Sequence, residues 1–175
     1  RLKFQEHQLA QMAYYDPLTE LPNRTLLADR FTQAIAYTRR SQSLMAICYL
    51  DLDGFKPIND RWGHEAGDRV LLEISQRLKQ ALRGNDTIAR IGGDEFMVLL
   101  PATDERGALA VLERILSLLE LNNQFYPGQA LSLSMGVAVA MSGDQIEAAA
   151  HQADQAMYAE KARYYAAMGL DRRHA

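Results

Sequence analysis

Cysteine is almost missing from this chain. The single Cys48 lies inside an apolar run and has no second thiol with which to close an internal disulfide, which excludes a disulfide-stapled secreted scaffold. A reduced compartment and a packing role for Cys48, rather than a reactive thiol, are expected. Long hydrophobic runs are missing too: none approaches the roughly 18 apolar residues that a membrane helix needs, so a soluble domain without membrane contact is expected. Positive charge is not in excess. Nineteen Lys and Arg stand against 22 Asp and Glu, giving a net charge of −3, and no basic stripe with interleaved aromatics offsets it, so on electrostatic grounds no nucleic-acid partner is expected. Repeats, low-complexity tracts and internal linkers are absent. The chain opens on Arg1 with no methionine and no signal-peptide pattern, from which we expect a cytoplasmic piece of a longer protein that could itself be anchored in a membrane.

What is present is a 175-residue chain, 48% hydrophobic, which suits one domain with a sizeable core. Its organising stretch is Arg90 to Leu100, read as strands 87–91 and 96–100 joined by a tight turn. Gly92 and Gly93 let the backbone come close to a ligand, and Asp94 and Glu95 set two carboxylates at the hairpin tip. Adjacent acids repel, and a nearby cation or several N–H donors would hold both ionised. A second acidic strand end follows the apolar run 44–50, where Asp51 and Asp53 flank Leu52 before Gly54, Phe55 and Lys56. Two acid-bearing strand ends suggest a divalent-metal site.

In chain order, residues 1–13 read as a connector helix arriving from an upstream module, with Leu2, Leu9 and Met12 as scattered apolar positions. A wide turn over 14–24 gives way to a helix from about Asn23 to Arg40 that buries Leu27, Phe31 and Ile35. After the strand 44–51 comes a polar segment from Gly54 to Asp68, read as loop. Val70, Leu71, Ile74, Leu78 and Leu82 then recur at helical spacing up to Gly84. Beyond the hairpin we expect a helix over 104–121 with Leu112, Ile115, Leu116 and Leu119 on one face, a loop over 122–128, a strand over 131–140 and a helix over 144–168. The fold class implied is α/β, a mixed central sheet flanked by helices.

The motifs resemble those of the GGDEF domain family of diguanylate cyclases. The signature Gly92-Gly93-Asp94-Glu95-Phe96 is intact, and Asp51-Leu52-Asp53-Gly54-Phe55-Lys56-Pro57-Ile58-Asn59-Asp60 and Gly63-His64-Glu65-Ala66-Gly67-Asp68 precede it at the matching interval. Asp16-Pro17-Leu18-Thr19-Glu20-Leu21-Pro22-Asn23-Arg24 is similar to the turn that opens the domain. The resemblance implies a GGDEF domain over 14–175, with a nucleotidyl-cyclase or polymerase-palm-like sheet carrying the signature β-hairpin. It also implies condensation of two GTP into cyclic di-GMP, one GTP per subunit, at the interface of a homodimer, regulated by an upstream sensor module on the same chain.

Residue by residue, the resemblance makes Asp51, Asp94 and the carbonyl of Leu52 ligands of Mg²⁺ or Mn²⁺, hard cations suited to oxygen donors. Asp94 and Glu95 share metal binding and deprotonation of the attacking hydroxyl, in an order the sequence leaves open. Asn59 and Asp68 match the readers of guanine, whose donor and acceptor edge a carboxylate and an amide complement; as plain residues they would be a loop cap and a helix N-cap. Lys56 with the N–H groups of Gly54 and Phe55 fits a phosphate cradle beside Gly92 and Gly93, and Lys161 matches a phosphate-binding lysine. His64 is read as a structural support, and Asp53 as either a site acid or a turn cap. Arg83 and Asp86 match the Arg-x-x-Asp that binds inhibitory cyclic di-GMP in the family, with Arg114 at a secondary position; otherwise they are a helix-end charge and a turn acid. The chain departs from the family at its end. Tyr164 and Tyr165 stand where Gly and Arg are usual, so one phosphate-binding charge is lost unless Arg163 or Arg172 replaces it, and no closing strand is evident. A slow domain that senses GTP or cyclic di-GMP is the alternative this departure raises.

Overall fold

The computed structural model describes residues 1–125 and 130–169. Helix α1 (Leu2–Tyr14) has no buried residue, and its Leu2, Leu9 and Met12 are exposed. Helix α2 (Arg24–Ser41) starts where Asn23 caps it, the Asn23 side chain accepting the Leu26 N–H at 3.0 Å. Strand β1 (Met45–Leu52) follows, then helices α3 (Phe55–Trp62) and α4 (His64–Ala81), the hairpin of β2 (Thr87–Arg90) and β3 (Glu95–Pro101), helix α5 (Glu105–Phe125), strand β4 (Leu133–Ala140), a short 3-10 turn, and helix α6 (Ile146–Ala167).

The four strands lie in the order β2-β3-β1-β4, and every pairing is antiparallel. Helices cover the sheet as expected. The strands joined by helical crossovers, β1 to β2 and β3 to β4, run in the same direction yet are never adjacent, because an antiparallel strand separates each pair; this is the split β-α-β arrangement. Side chains along β1 alternate between two cores. Ala46, Cys48, Leu50 and Leu52 meet α4 and α5 through Ile74, Leu78 and Ile115, whereas Met45 and Ile47 meet α2 and α6 through Leu27, Ala149 and Ala153. Phase therefore fixes where the strand-end acid goes: Asp51 falls on the α2 and α6 side.

The segment from Gly54 to Asp68 corrects the loop reading, since it forms α3 and the first turn of α4. Gly54 and Gly63 take positive φ (71° and 87°) and break the chain into two helices. Pro57 sits in the first turn of α3, where its missing N–H costs no helical bond; Phe55, Ile58 and Trp62 recur at helical spacing, but over only eight residues, and only Ile58 is buried. Helix α5 runs on through Asn122 to Phe125, past its expected end, and residues 126–128 of the expected loop lie outside the described residues. Its buried stripe is Ala108, Val111, Ile115 and Leu119; Leu116 instead faces outward. Beyond β4 no further strand pairs among the described residues. Helix α6 packs across that edge strand, and Glu160 accepts the Met135 N–H at 3.3 Å.

Candidate active site

Two strand tips are tied together by main chain. The Leu52 N–H donates to the Asp94 carbonyl at 2.9 Å, and Asp51 stands opposite Glu95 in the β1–β3 register. The hairpin turn is held by arginines that the motif reading passed over. Arg90 donates to the carbonyls of Gly93 at 2.7 Å and Gly92 at 3.2 Å, and Arg24 donates to that of Ile91 at 3.1 Å. Arg90 also bonds both oxygens of Asp16 at 3.1 Å, while Asp16 accepts from the N–H and hydroxyl of Thr19 at 2.8 Å. Burial works against the Asp16 carboxylate, but its bonds to Thr19 and Arg90 outweigh that and hold its pKa below the ordinary value. The opening turn is thus strapped to the signature hairpin.

Lys161 comes to this point from α6. That helix buries Ile146, Ala149, Ala153 and Met157, then Tyr165, a stripe at spacings of three and four in which position 161 is the next turn. A lysine inside an apolar stripe carries its ammonium into the sheet. Its Nζ lies 2.5 Å from Asp51 Oδ1, 3.3 Å from the Leu52 carbonyl and 3.6 Å from Asp94 Oδ2. Asp51 is 5% exposed, so it is charged at a cost. Burial pushes its carboxyl up to about 7, Lys161 opposes the rise, and the negative Asp94 adds to it. Burial likewise disfavours the Lys161 ammonium, but Asp51 and then Asp94 outweigh that and keep its pKa above the ordinary value.

The three groups assigned to a metal from sequence therefore converge, and they converge on a positive charge. Two carboxylates and a carbonyl are hard oxygen donors that fit Mg²⁺ or Mn²⁺, and the Lys161 ammonium stands among them as a monovalent stand-in. Among the described residues no cluster of three or more His, Cys, Asp or Glu side chains forms a metal cage, so any such ion needs the main-chain donor. Asp53 does not join the cluster. Its oxygens accept from Ser134 Oγ at 2.6 Å and Ser132 Oγ at 2.7 Å, which makes it a brace between β1 and β4; the alternating serines of β4 were the sequence signal.

Around α3 the expected base-reading residues come together in part. Gly67 of α4 lies so near Asn59 that a Cβ there would stand 1.9 Å from Asn59 Oδ1, and 3.2 Å from the Phe55 ring. Asn59 Oδ1 is buried against Gly67 without a hydrogen-bond partner. Asp68, Lys56 and His64 are exposed, and Asp68 stands one residue beyond the Gly67 contact. The Gly54 N–H, expected in a phosphate cradle, donates instead to the Tyr165 hydroxyl at 3.1 Å. Arg163 is exposed on α6, and Arg172 lies outside the described residues. At the opposite end of β1 and β3 from Asp51 and Asp94, Arg83, Asp86 and Arg114 line one cleft of ≈ 750 Å³ between the start of β2 and α5. There the Arg83 N–H donates to Asp86 Oδ2 at 2.8 Å.

The chain is similar in sequence and in fold to known proteins. The family model described as diguanylate cyclase, GGDEF domain, matches residues 13–165. The chain is 37% identical over 165 residues to the diguanylate cyclase TpbB of Pseudomonas aeruginosa, covering 92% of this chain and 38% of that protein. It is 42% identical over 153 residues to the diguanylate cyclase DgcP of the same organism, covering 86% of this chain and 23% of that one. The chain thus spans well under half the length of these relatives. Among solved structures, the coiled coil and GGDEF domain of DgcB from Caulobacter crescentus in complex with c-di-GMP superposes with a TM-score of 0.83 at 27% identity, covering 92% of this chain and 87% of that one. No described helix is long and apolar enough to cross a membrane.

Proposed function

Because the chain belongs to the GGDEF domain family, we propose that it is a diguanylate cyclase, joining two GTP molecules into cyclic di-GMP with loss of two pyrophosphates. The observation that carries this reading is the convergence of Asp51, the Leu52 carbonyl and Asp94 on one cationic position, with an unpartnered Asn59 acceptor between α3 and α4. Asn59 and Asp68 read the guanine edge, and adenine is rejected because it would leave their hydrogen bonds, that of the buried Asn59 oxygen above all, unmade. Lys56 and the start of α3 face the phosphates, with the N–H groups of the first turn as donors. A divalent ion, when bound by Asp51, Leu52 and Asp94, neutralises charge on the phosphates.

Each transfer forms a bond from a 3′-hydroxyl to the α-phosphorus of the opposing nucleotide and breaks that phosphorus's bond to pyrophosphate, while Asp94 or Glu95 takes the hydroxyl proton. The protein's share is positioning and charge neutralisation. Since each domain holds one GTP, two copies must face each other, and α1 is the natural means by which an upstream module brings them together. Cyclic di-GMP gripped by Arg83, Asp86 and Arg114 would hold the copies apart and stop turnover. A second reading, a domain that binds GTP or cyclic di-GMP without turnover, is favoured by Tyr165 standing where the family usually places a charge. Incubation with GTP and Mg²⁺, followed by chromatography of cyclic di-GMP, separates the two: product supports the cyclase, and nucleotide binding without product supports the sensor.

A further inference from the structure

The outer edge of β4 carries backbone groups that the sheet does not use. Hydrogen-bonded pairs alternate along an antiparallel ladder, and the Asp53 N–H bond to the Ser132 carbonyl at 2.9 Å fixes the phase between β1 and β4. Even-numbered residues of β4 therefore bond β1, and odd-numbered ones turn their N–H and C=O groups away from the sheet. The other side of β1 agrees: Leu52 and Leu44, of the opposite phase, bond to Asp94 and Ala102. Side chains close the outer edge at two points. The Met135 N–H donates to Glu160 Oε1 at 3.3 Å, and the Met141 N–H to Gln145 Oε1 at 3.0 Å. Between those caps lie Val137 and Val139, opposite Cys48 and Ala46, and among the described residues nothing bonds their outward groups. Both valines are half-buried, and beside them is a cleft of ≈ 500 Å³ lined also by Leu44 and Met141 and by the exposed acids Asp104 and Glu105.

We propose that this edge takes up an extended segment of a partner protein as an additional outer strand, one with apolar side chains at alternate positions and a lysine or arginine facing Asp104 and Glu105. Strand edges are ordinarily blunted by charge, proline or a covering segment, and here the blunting stops short over the two valines. Their N–H and C=O groups stand two residues apart in strand geometry, so a segment of roughly five residues, about 16 Å long, fills the space between the caps. Main-chain bonds hold such a segment whatever its sequence, the cleft favours apolar side chains, and the acids select its charge. The inference is independent of the nucleotide reading, since Val137 and Val139 lie opposite the half of β1 remote from Asp51.

The probe is a blocked seven-residue peptide that alternates valine and threonine and carries a lysine at each end, added to the unaltered chain while amide hydrogen exchange is followed by NMR. Exchange at Val137 and Val139 should be fast in the free chain and should slow about 10-fold when the peptide is bound. The same peptide N-methylated at its central amides should give no protection, and glutamates in place of its lysines should weaken binding about 10-fold, a preference that Glu105→Lys should reverse. Val139→Pro removes an outward N–H and no bond to β1, so the fold should stand while the lysine peptide binds about 10-fold more weakly. Slow exchange at both valines without peptide would show the edge already covered, by this chain's own residues or by a second copy, and would overturn the proposal. So would exchange unaltered by the peptide, or equal protection from the methylated one. Should Val139→Pro not fold, Glu105→Lys decides, and a preference left unreversed overturns the proposal.

Discussion

Gly136 of β4 is where α6 comes closest to the sheet, and replacing it by alanine should damage fold and site together. A Cβ there would lie 2.1 Å from the Ala153 carbonyl oxygen and 2.3 Å from the Met157 nitrogen. Ordinary contacts are more than 1 Å longer, and both partners are helix backbone, which has no rotamer to change, so α6 must move away by on the order of 1 Å. Overpacking of this kind costs about 1–3 kcal/mol or more. Lys161 lies one turn beyond Met157, so the same shift draws its ammonium off Asp51 and should lower turnover roughly 100-fold, the usual effect of an ångström of misplacement. Urea unfolding and cyclic di-GMP formation measure the two effects. Gly84→Ala is the control, because nothing lies within 4 Å of its Cβ, and it should be neutral within about 1 kcal/mol. If Gly136→Ala kept the unfolding midpoint and full turnover, the docking of α6 would not be what positions Lys161.

Gly67→Ala should act differently, because its added methyl meets the end of the Asn59 side chain, which can swing: the fold survives, and GTP loses its advantage over ATP in competition titrations. The raised Asp51 pKa gives a pH effect of definite sign. Its proton-bound form favours the folded state, so in EDTA the contribution is full below the ordinary value of 3.8 and is lost as pH rises through about 7. Melting temperatures without metal should therefore decline over that window, and Mg²⁺ should restore them at pH 8; a flat EDTA profile would contradict the raised Asp51 pKa, and no Mg²⁺ effect at pH 8 would remove Asp51 from the metal site. Arg83→Ala should relieve product inhibition without altering initial rates; an unchanged inhibition curve would return Arg83 to an ordinary surface role.

Much of the site could be read in the sequence because strand phase is arithmetic: the alternation along β1 that buries Cys48 on one face sends Asp51 to the other, toward α6. The hairpin was legible from its glycines and flanking apolar residues. Helix α3 was not, since eight residues containing a proline give Phe55, Ile58 and Trp62 too short a run at helical spacing to stand out from the polar residues around them. Asp16, Arg24 and Arg90 were missed as supports because their partners are main-chain carbonyls and a distant turn, contacts that leave no trace in local spacing. Lys161 as the partner of Asp51 was foreshadowed by a lysine in the buried stripe of α6. Tyr165 was visible only as a departure, and its bond to Gly54 required the fold.

The most direct measurement is anomalous diffraction from crystals grown with Mn²⁺ and the methylene-bridged GTP analogue. A manganese peak coordinated by Asp51, the Leu52 carbonyl and Asp94, with the Lys161 ammonium turned to the phosphates, is the predicted result. A peak elsewhere, or Lys161 still seated between the two aspartates with nucleotide bound, would contradict it.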